Sequence, residues 1–189
     1  MQSSLIFGDE SKFAIRYSEC SVEYNYDHES KMAILHMVLN NTTVGNQFEE
    51  CYLPTWYYKV VKFRNFLDQN RDSLYPEQFR GFDDRQIFEL ILKSNQLSDD
   101  FDKYFLELPQ LDNLIWLRHH LSLDETIDAF TTCFYVRDNI ITVIIENWWP
   151  KENNLNRSNI LISKVDLDYF LRTLEEATEF LKSKYSYLQ

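Results

Sequence analysis

A β-hairpin is predicted by residues 127–147, IDAFTTCFYVRDNIITVIIEN. The two runs 127–135 and 140–147 are rich in β-branched and aromatic side chains, a composition typical of strands. The intervening Val-Arg-Asp-Asn ends in two residue types that readily adopt the positive φ of a tight turn. We therefore expect two adjacent antiparallel strands joined at residues 136–139.

The chain after this hairpin predicts one more strand and a long helix. Residues 159–165 form a short strand, and Asp166 is placed to cap the helix that follows. Apolar side chains then recur at the i, i+3, i+4, i+7 spacing of one helical face: Leu167, Phe170, Leu171, Leu174, Ala177, Leu181 and Tyr185. This apolar stripe is expected to pack against the sheet.

The first third of the chain predicts an antiparallel meander. Apolar and polar residues alternate over 13–17 and again over 22–26, but the apolar parity switches, which predicts a break or bulge near residues 18–20. Residues 32–39 are apolar on both faces apart from His36, which is typical of a central strand covered on both sides. A short strand over 48–53 completes the meander.

The middle third of the chain predicts helices. Three of them have candidate N-cap residues: Thr55, Asp83 or Asp84, and Ser98. A further helical segment spans residues 111–121, and no linker, repeat or low-complexity tract divides the chain. We predict a single α+β domain over residues 1–189. Its antiparallel sheet, made of the N-terminal meander and the C-terminal hairpin, packs with helices from the middle of the chain and with the long C-terminal helix.

The composition excludes several classes of protein. The 189 residues carry a formal net charge of −11, the opposite sign to that usual for a nucleic-acid or anionic-membrane binder. Three scattered glycines cannot form a phosphate-binding loop, and we predict no cofactor. Three widely separated cysteines argue against a disulfide framework and favour a reducing, cytoplasmic location. The early Leu-Ile-Phe run is too short and too soon followed by acidic residues to be a signal peptide.

Residues suited to catalysis are present, but their pattern specifies no reaction. Adjacent carboxylates occur in three pairs: Glu49-Glu50, Asp83-Asp84 and Asp99-Asp100. Such pairs can bind a divalent cation or act as acid and base, although at helix starts they usually serve as caps. His119 or His120 can act as a general base with Asp124, or can simply end a helix. A small hydrolase or nuclease using carboxylate pairs and a histidine therefore stands as an alternative.

Negative charge is concentrated in the helical middle of the chain. Between Arg71 and Glu125, twelve acidic residues face six basic ones, more than half of the excess in the whole chain. Such a surface attracts a basic partner and speeds association, or merely keeps the protein soluble. The predicted partner contacts are five carboxylates and a tryptophan suited to anchor an interface: Asp83, Asp84, Asp99, Asp100, Asp102 and Trp149.

The N-terminal segment resembles the start of a known family. It reads Ile6-Phe7-Gly8-Asp9, followed by Lys12-Phe13-Ala14-Ile15, and is similar to bacterial immunity proteins of polymorphic and contact-dependent inhibition toxin systems, specifically immunity protein family forty-two. The later layout is similar too, with a hairpin closing in Trp148 and a strand from Asn159 leading into the C-terminal helix. The resemblance implies a small cytoplasmic protein, encoded beside a toxin, that binds the toxin's C-terminal nuclease domain stoichiometrically. It supplies no catalytic residues.

The leading hypothesis is therefore an inhibitor acting by protein–protein interaction. Its partner is expected to be a cognate basic toxin domain, an RNase or a DNase, with no direct contact to nucleic acid and none to a membrane. A regulatory adaptor for some other basic protein is a third possibility, after the hydrolase. The sequence does not indicate the oligomeric state.

Overall fold

A five-stranded antiparallel sheet forms the first part of the fold. The protein is represented by a computed structural model, which describes residues 4–19, 31–45, 49–95, 108–123, 130–147 and 160–188. The strands are β1 (Leu5–Asp9), β2 (Phe13–Glu19), β3 (Met32–Leu39), β4 (Thr42–Val44) and β5 (Cys51–Tyr52). They follow the order β1-β2-β3-β4, and β5 also pairs with β3. The interior position of β3 confirms the prediction from its two apolar faces.

The edge strand β1 was not predicted from the sequence. Its three apolar residues are followed by Gly8, so the segment is too short to show an alternating pattern. Pairing with β2, from Leu5 opposite Tyr17 to Asp9 opposite Phe13, makes it a strand. The predicted strand over 22–26 and the helix capped by Ser98 lie outside the described residues.

The predicted hairpin is present and belongs to a second, three-stranded antiparallel sheet. In chain order its strands are β6 (Phe130–Arg137), β7 (Ile140–Asn147) and β8 (Ile160–Asp166). Asp138 and Asn139 have φ values of 52° and 59°, as the turn chemistry predicted. The α+β class is confirmed, and the strands divide between two sheets.

The two sheets are linked where the turn after β3 meets β8. The Asn40 side-chain amide donates a hydrogen bond to the Ile162 carbonyl, with 3.3 Å between the two atoms. The Ser163 hydroxyl donates to the Asn40 side-chain oxygen, also at 3.3 Å. A side-chain bridge, rather than a backbone ladder, therefore joins β8 to the first sheet.

Within the described residues, four α-helices accompany the sheets: α1 (Leu53–Asn70), α2 (Asp84–Lys93), α3 (Asn113–His119) and α4 (Leu167–Lys184). Asp83 caps α2 and Asp166 caps α4, as predicted. The prediction that Thr55 caps α1 was wrong, because the chain enters α1 directly from β5 with Tyr52 at the N-cap position. Pro54 is tolerated in the first turn, where its missing N–H has no helical acceptor.

The second sheet is covered on both faces, and this divides the core in two. On β6, Phe134 and Val136 face a main core shared with the first sheet, α1 and α4. The alternate residues Cys133 and Tyr135 face a smaller core formed with α2 and α3. In the main core the Phe13 and Phe170 rings stack with their centroids 4.0 Å apart. Strand β7 is therefore apolar on both sides, which explains its unbroken β-branched run.

Candidate functional site

Two of the six predicted partner contacts lie in the described residues, at the start of α2. The Asp83 carboxylate accepts a hydrogen bond from the Gln86 backbone N–H at 2.8 Å, and the Gln86 side chain accepts one from the Asp83 N–H at 3.0 Å. Asp84 accepts the Tyr135 hydroxyl at 2.5 Å and forms an ion pair with Lys164 at 2.8 Å. Each carboxylate therefore has a structural partner, and Asp83 is also exposed.

The electrostatics of Asp84 reflect this double contact. Burial disfavours its ionised form, but Lys164 and Tyr135 outweigh burial and hold the pKa of Asp84 below its ordinary value. Burial and the Asp84 carboxylate together raise the pKa of Tyr135 to about 12. The ionised Asp84 carboxylate thus links α2 to β6 through Tyr135 and to β8 through Lys164. The other four predicted contacts lie outside the described residues: Asp99, Asp100, Asp102 and Trp149.

The histidine of the hydrolase alternative is part of the smaller core. His119 is 1% exposed, and its Nδ1 lies 2.9 Å from the Phe134 carbonyl oxygen. Because a carbonyl can only accept, Nδ1 must carry the proton. Burial lowers the pKa of His119 to about 4, so the ring is neutral near pH 7. His119 therefore stabilises the fold rather than facing a substrate, and its proposed helper Asp124 lies outside the described residues.

The neighbouring His120 is half-buried. Its ring stacks on Trp116 with the centroids 4.0 Å apart, and burial lowers its pKa. Cys133 is a free, buried thiol, and burial raises its pKa. Cys51 is buried as well. Over the described ranges, no three His, Cys, Asp or Glu side chains are grouped so as to hold a metal ion. No helix in the same ranges is long and apolar enough to cross a bilayer.

The most exposed apolar side chains of α3 lie together on one face. Leu114 is 61% exposed and Leu117 is 65% exposed. Arg118 lies one residue further along the same face and donates a hydrogen bond to the Ser73 hydroxyl at 2.8 Å. We call Leu114, Leu117 and Arg118 the α3 face. Sequence reasoning missed it because α3 has apolar residues on every side, so periodicity could not tell which of them are exposed.

An open cleft of 630 Å³ lies between the segment that follows α1 and the turn of the β6–β7 hairpin. We call it the arginine cleft, because Arg71, Arg80 and Arg137 line it, together with the carboxylates of Asp72 and Asp138. Asp68 and Asp168 hold Arg71 at 2.6 and 3.1 Å. Arg80 pairs with Glu77 at 2.9 Å and Arg137 with Asp138 at 3.3 Å, and all four of these side chains are more than half exposed.

Comparison with known proteins identifies the family. The model of the family described as Immunity protein 42 matches residues 5–180, nearly the whole chain. The chain belongs to this family. Among solved structures, the chain is similar to CdiI from Burkholderia dolosa AUO158, with a TM-score of 0.58 and 10% sequence identity. The match covers 92% of this chain and 97% of that one, and at this identity it shows a common fold. No curated protein matches the sequence.

The segment by which the sequence resembles Immunity protein 42 has a structural role here. A side chain at Gly8 would place its Cβ 2.5 Å from the Phe13 carbonyl oxygen, and Gly8 has a φ of +87°. The Asp9 N–H donates to the Tyr169 hydroxyl at 2.6 Å, and that hydroxyl donates to the Phe13 carbonyl at 3.0 Å. The segment therefore locks the β1–β2 hairpin onto α4.

Proposed function

We propose that this immunity protein neutralises the nuclease domain of a cognate toxin by stoichiometric binding, drawn to it by acidic charge. One observation carries the proposal. This member of the family has a net charge of −11, and more than half of its excess of acidic over basic residues lies between residues 71 and 125. Nucleases that act on RNA or DNA are usually basic around their substrate, so such a field favours encounter with them. No cofactor is needed for this action.

The proposed charged contacts are the ones predicted from charge and position. Asp83 is exposed while it caps α2, and its carboxylate has acceptor capacity left for a partner's Lys or Arg. Asp84 is also in the proposed set, but its ion pair with Lys164 offsets part of its charge, so Asp83 is the more available of the two. Asp99, Asp100, Asp102 and Trp149 complete the proposed set. We also propose a cytoplasmic location, on the basis of three cysteines that are widely separated in the sequence and odd in number.

Reversing the charge of the acidic cluster is expected to slow toxin binding. In the variant Asp99→Lys, Asp100→Lys, Asp102→Lys, we expect the association rate constant to fall about tenfold at low salt, because steering depends on local charge. The matched control is Glu175→Lys, Glu176→Lys, Glu179→Lys, which adds the same charge on exposed positions of α4. Stopped-flow or surface-based kinetics measure both. Equal rate constants for the cluster variant and the wild type would place the interface elsewhere.

Co-expression tests the function itself. The C-terminal domain of the toxin encoded beside this chain is expressed with and without it, and growth is followed. We expect rescue of growth and a stable one-to-one complex on co-purification, with nuclease activity of the toxin lost in the complex. Absence of both rescue and complex would refute the proposal, and turnover by this chain alone would favour the hydrolase.

A further inference from the structure

We propose that the α3 face is the anchor on which the toxin docks, taking an apolar toxin side chain flanked by a carboxylate. This inference rests on the proposed function and adds to it the surface and the chemistry of the contact. The acidic field raises the association rate constant of the toxin, and contacts on the α3 face lower its dissociation rate constant.

The α3 face exposes a continuous apolar area. Leu114 and Leu117 are separated by one helical turn, so their side chains form one continuous patch. Both are more exposed than the other aliphatic pair of the described surface, Leu5 and Ile6, at 40% and 44%. An isolated exposed leucine is ordinary, but two adjacent ones present the small apolar centre that interfaces use for their strongest contacts.

The side of α3 opposite the α3 face is fixed by packing and hydrogen bonds. Ile115 and Trp116 pack against the smaller core, and the buried His119 bonds to Phe134. The Asp112 carboxylate caps the helix by accepting the Leu114 backbone N–H at 2.8 Å. A surface that is ordered before binding loses little conformational entropy on association.

Positive charge lies beside the two leucines. Arg118 makes no ion pair within the described part of the chain, and it donates a hydrogen bond to the neutral Ser73 hydroxyl. In a chain of net charge −11, the Arg118 guanidinium beside the two leucines is complementary to a carboxylate on the partner.

Binding kinetics of paired variants test the inference. The variants are Leu114→Ala with Leu117→Ala, and Arg118→Glu. Their matched controls are Leu5→Ala with Ile6→Ala on β1, and Lys182→Glu, an equal change of charge on an exposed position of α4. The probe is the purified toxin domain encoded beside this chain. We expect the leucine variant to raise Kd about 100-fold, mainly through faster dissociation. We expect Arg118→Glu to raise it about tenfold and both controls less than threefold.

The outcomes separate this inference from the proposed function. Failure of the wild-type protein to bind the toxin would refute the function itself. Tight wild-type binding that persists unchanged in both α3 variants would refute the anchor alone. Sedimentation of the toxin-free protein tests whether a second copy of this chain occupies the α3 face instead. A dimer that the leucine variant abolishes, with toxin affinity unchanged, would also overturn the inference. Thermal melts confirm that the variants are folded, as expected for substitutions of exposed side chains.

Discussion

Replacing Gly8 by alanine is expected to lower the free energy of unfolding by roughly 2–4 kcal/mol. Two effects add: the residue has a φ of +87°, and its new Cβ would lie 2.5 Å from the Phe13 carbonyl oxygen. That oxygen belongs to the paired backbone of β2 and also accepts the Tyr169 hydroxyl, so it cannot easily move. Thermal denaturation should show a midpoint lowered by about 6–12 °C.

Gly81 provides the matched control for this variant. Its φ is +86°, yet a Cβ there would meet nothing within 4 Å. Gly81→Ala therefore measures only the cost of placing alanine at a positive φ, and we expect the free energy of unfolding to fall by about 1 kcal/mol. If the two alanine variants were equally destabilised, steric contact at Gly8 would contribute nothing, and the proposed lock between β1, β2 and α4 would be wrong.

Stability is expected to fall by about 3 kcal/mol between pH 7 and pH 4 because of His119. Its pKa in the folded protein is about 4, below the ordinary value of 6.5. Between these two values the unfolded chain binds a proton that the folded protein does not. The contribution to stability is therefore constant above pH 7, decreases as the pH falls through 6.5, and levels off below pH 4. Burial lowers the pKa of His120 as well, which adds loss in the same direction.

Denaturant titrations at a series of pH values measure this effect. In His119→Asn the amide can still donate to the Phe134 carbonyl but cannot titrate in this range. We expect the variant to be less stable than the wild type at pH 7, with a much flatter pH dependence between 4 and 6.5. His120→Asn is the control for the adjacent ring. Parallel stability curves for His119→Asn and the wild type would show that the buried ring does not cause the acid sensitivity.

The elements predicted correctly are those whose signals are local. The turn at Asp138 and Asn139, the cap at Asp166 and the capping box at Asp83 each depend on residues within a few positions of one another. Strand β1 has no comparable signal, because it is defined by a partner strand and by contacts to Tyr169. The predicted start of α1 was misplaced because the chain passes directly from β5 into α1. Strand β5 is defined by its pairing with β3, which a local pattern does not show.

The candidate site also combines features with a local signal and features that depend on distant contacts. The sequence indicated an acidic surface because charge can be counted without knowing the fold. It could not separate Asp83, which is exposed, from Asp84, which is bound to Lys164 and Tyr135 eighty and fifty-one positions away. It also could not distinguish the exposed Leu114 from the partly buried Ile115, because both are apolar residues of one short helix.

The amino-acid sequence was sufficient to predict the α+β class, the central strand, the hairpin, the C-terminal helix and the family. These follow from short-range periodicity, turn and cap chemistry, total charge and a short N-terminal motif. The three-dimensional structure was needed to show that the strands form two sheets, that His119 is a neutral core residue, and that Leu114 and Leu117 of α3 face outward. Burial and strand pairing depend on residues far apart in the chain, and a local pattern contains no information about which distant surface covers it.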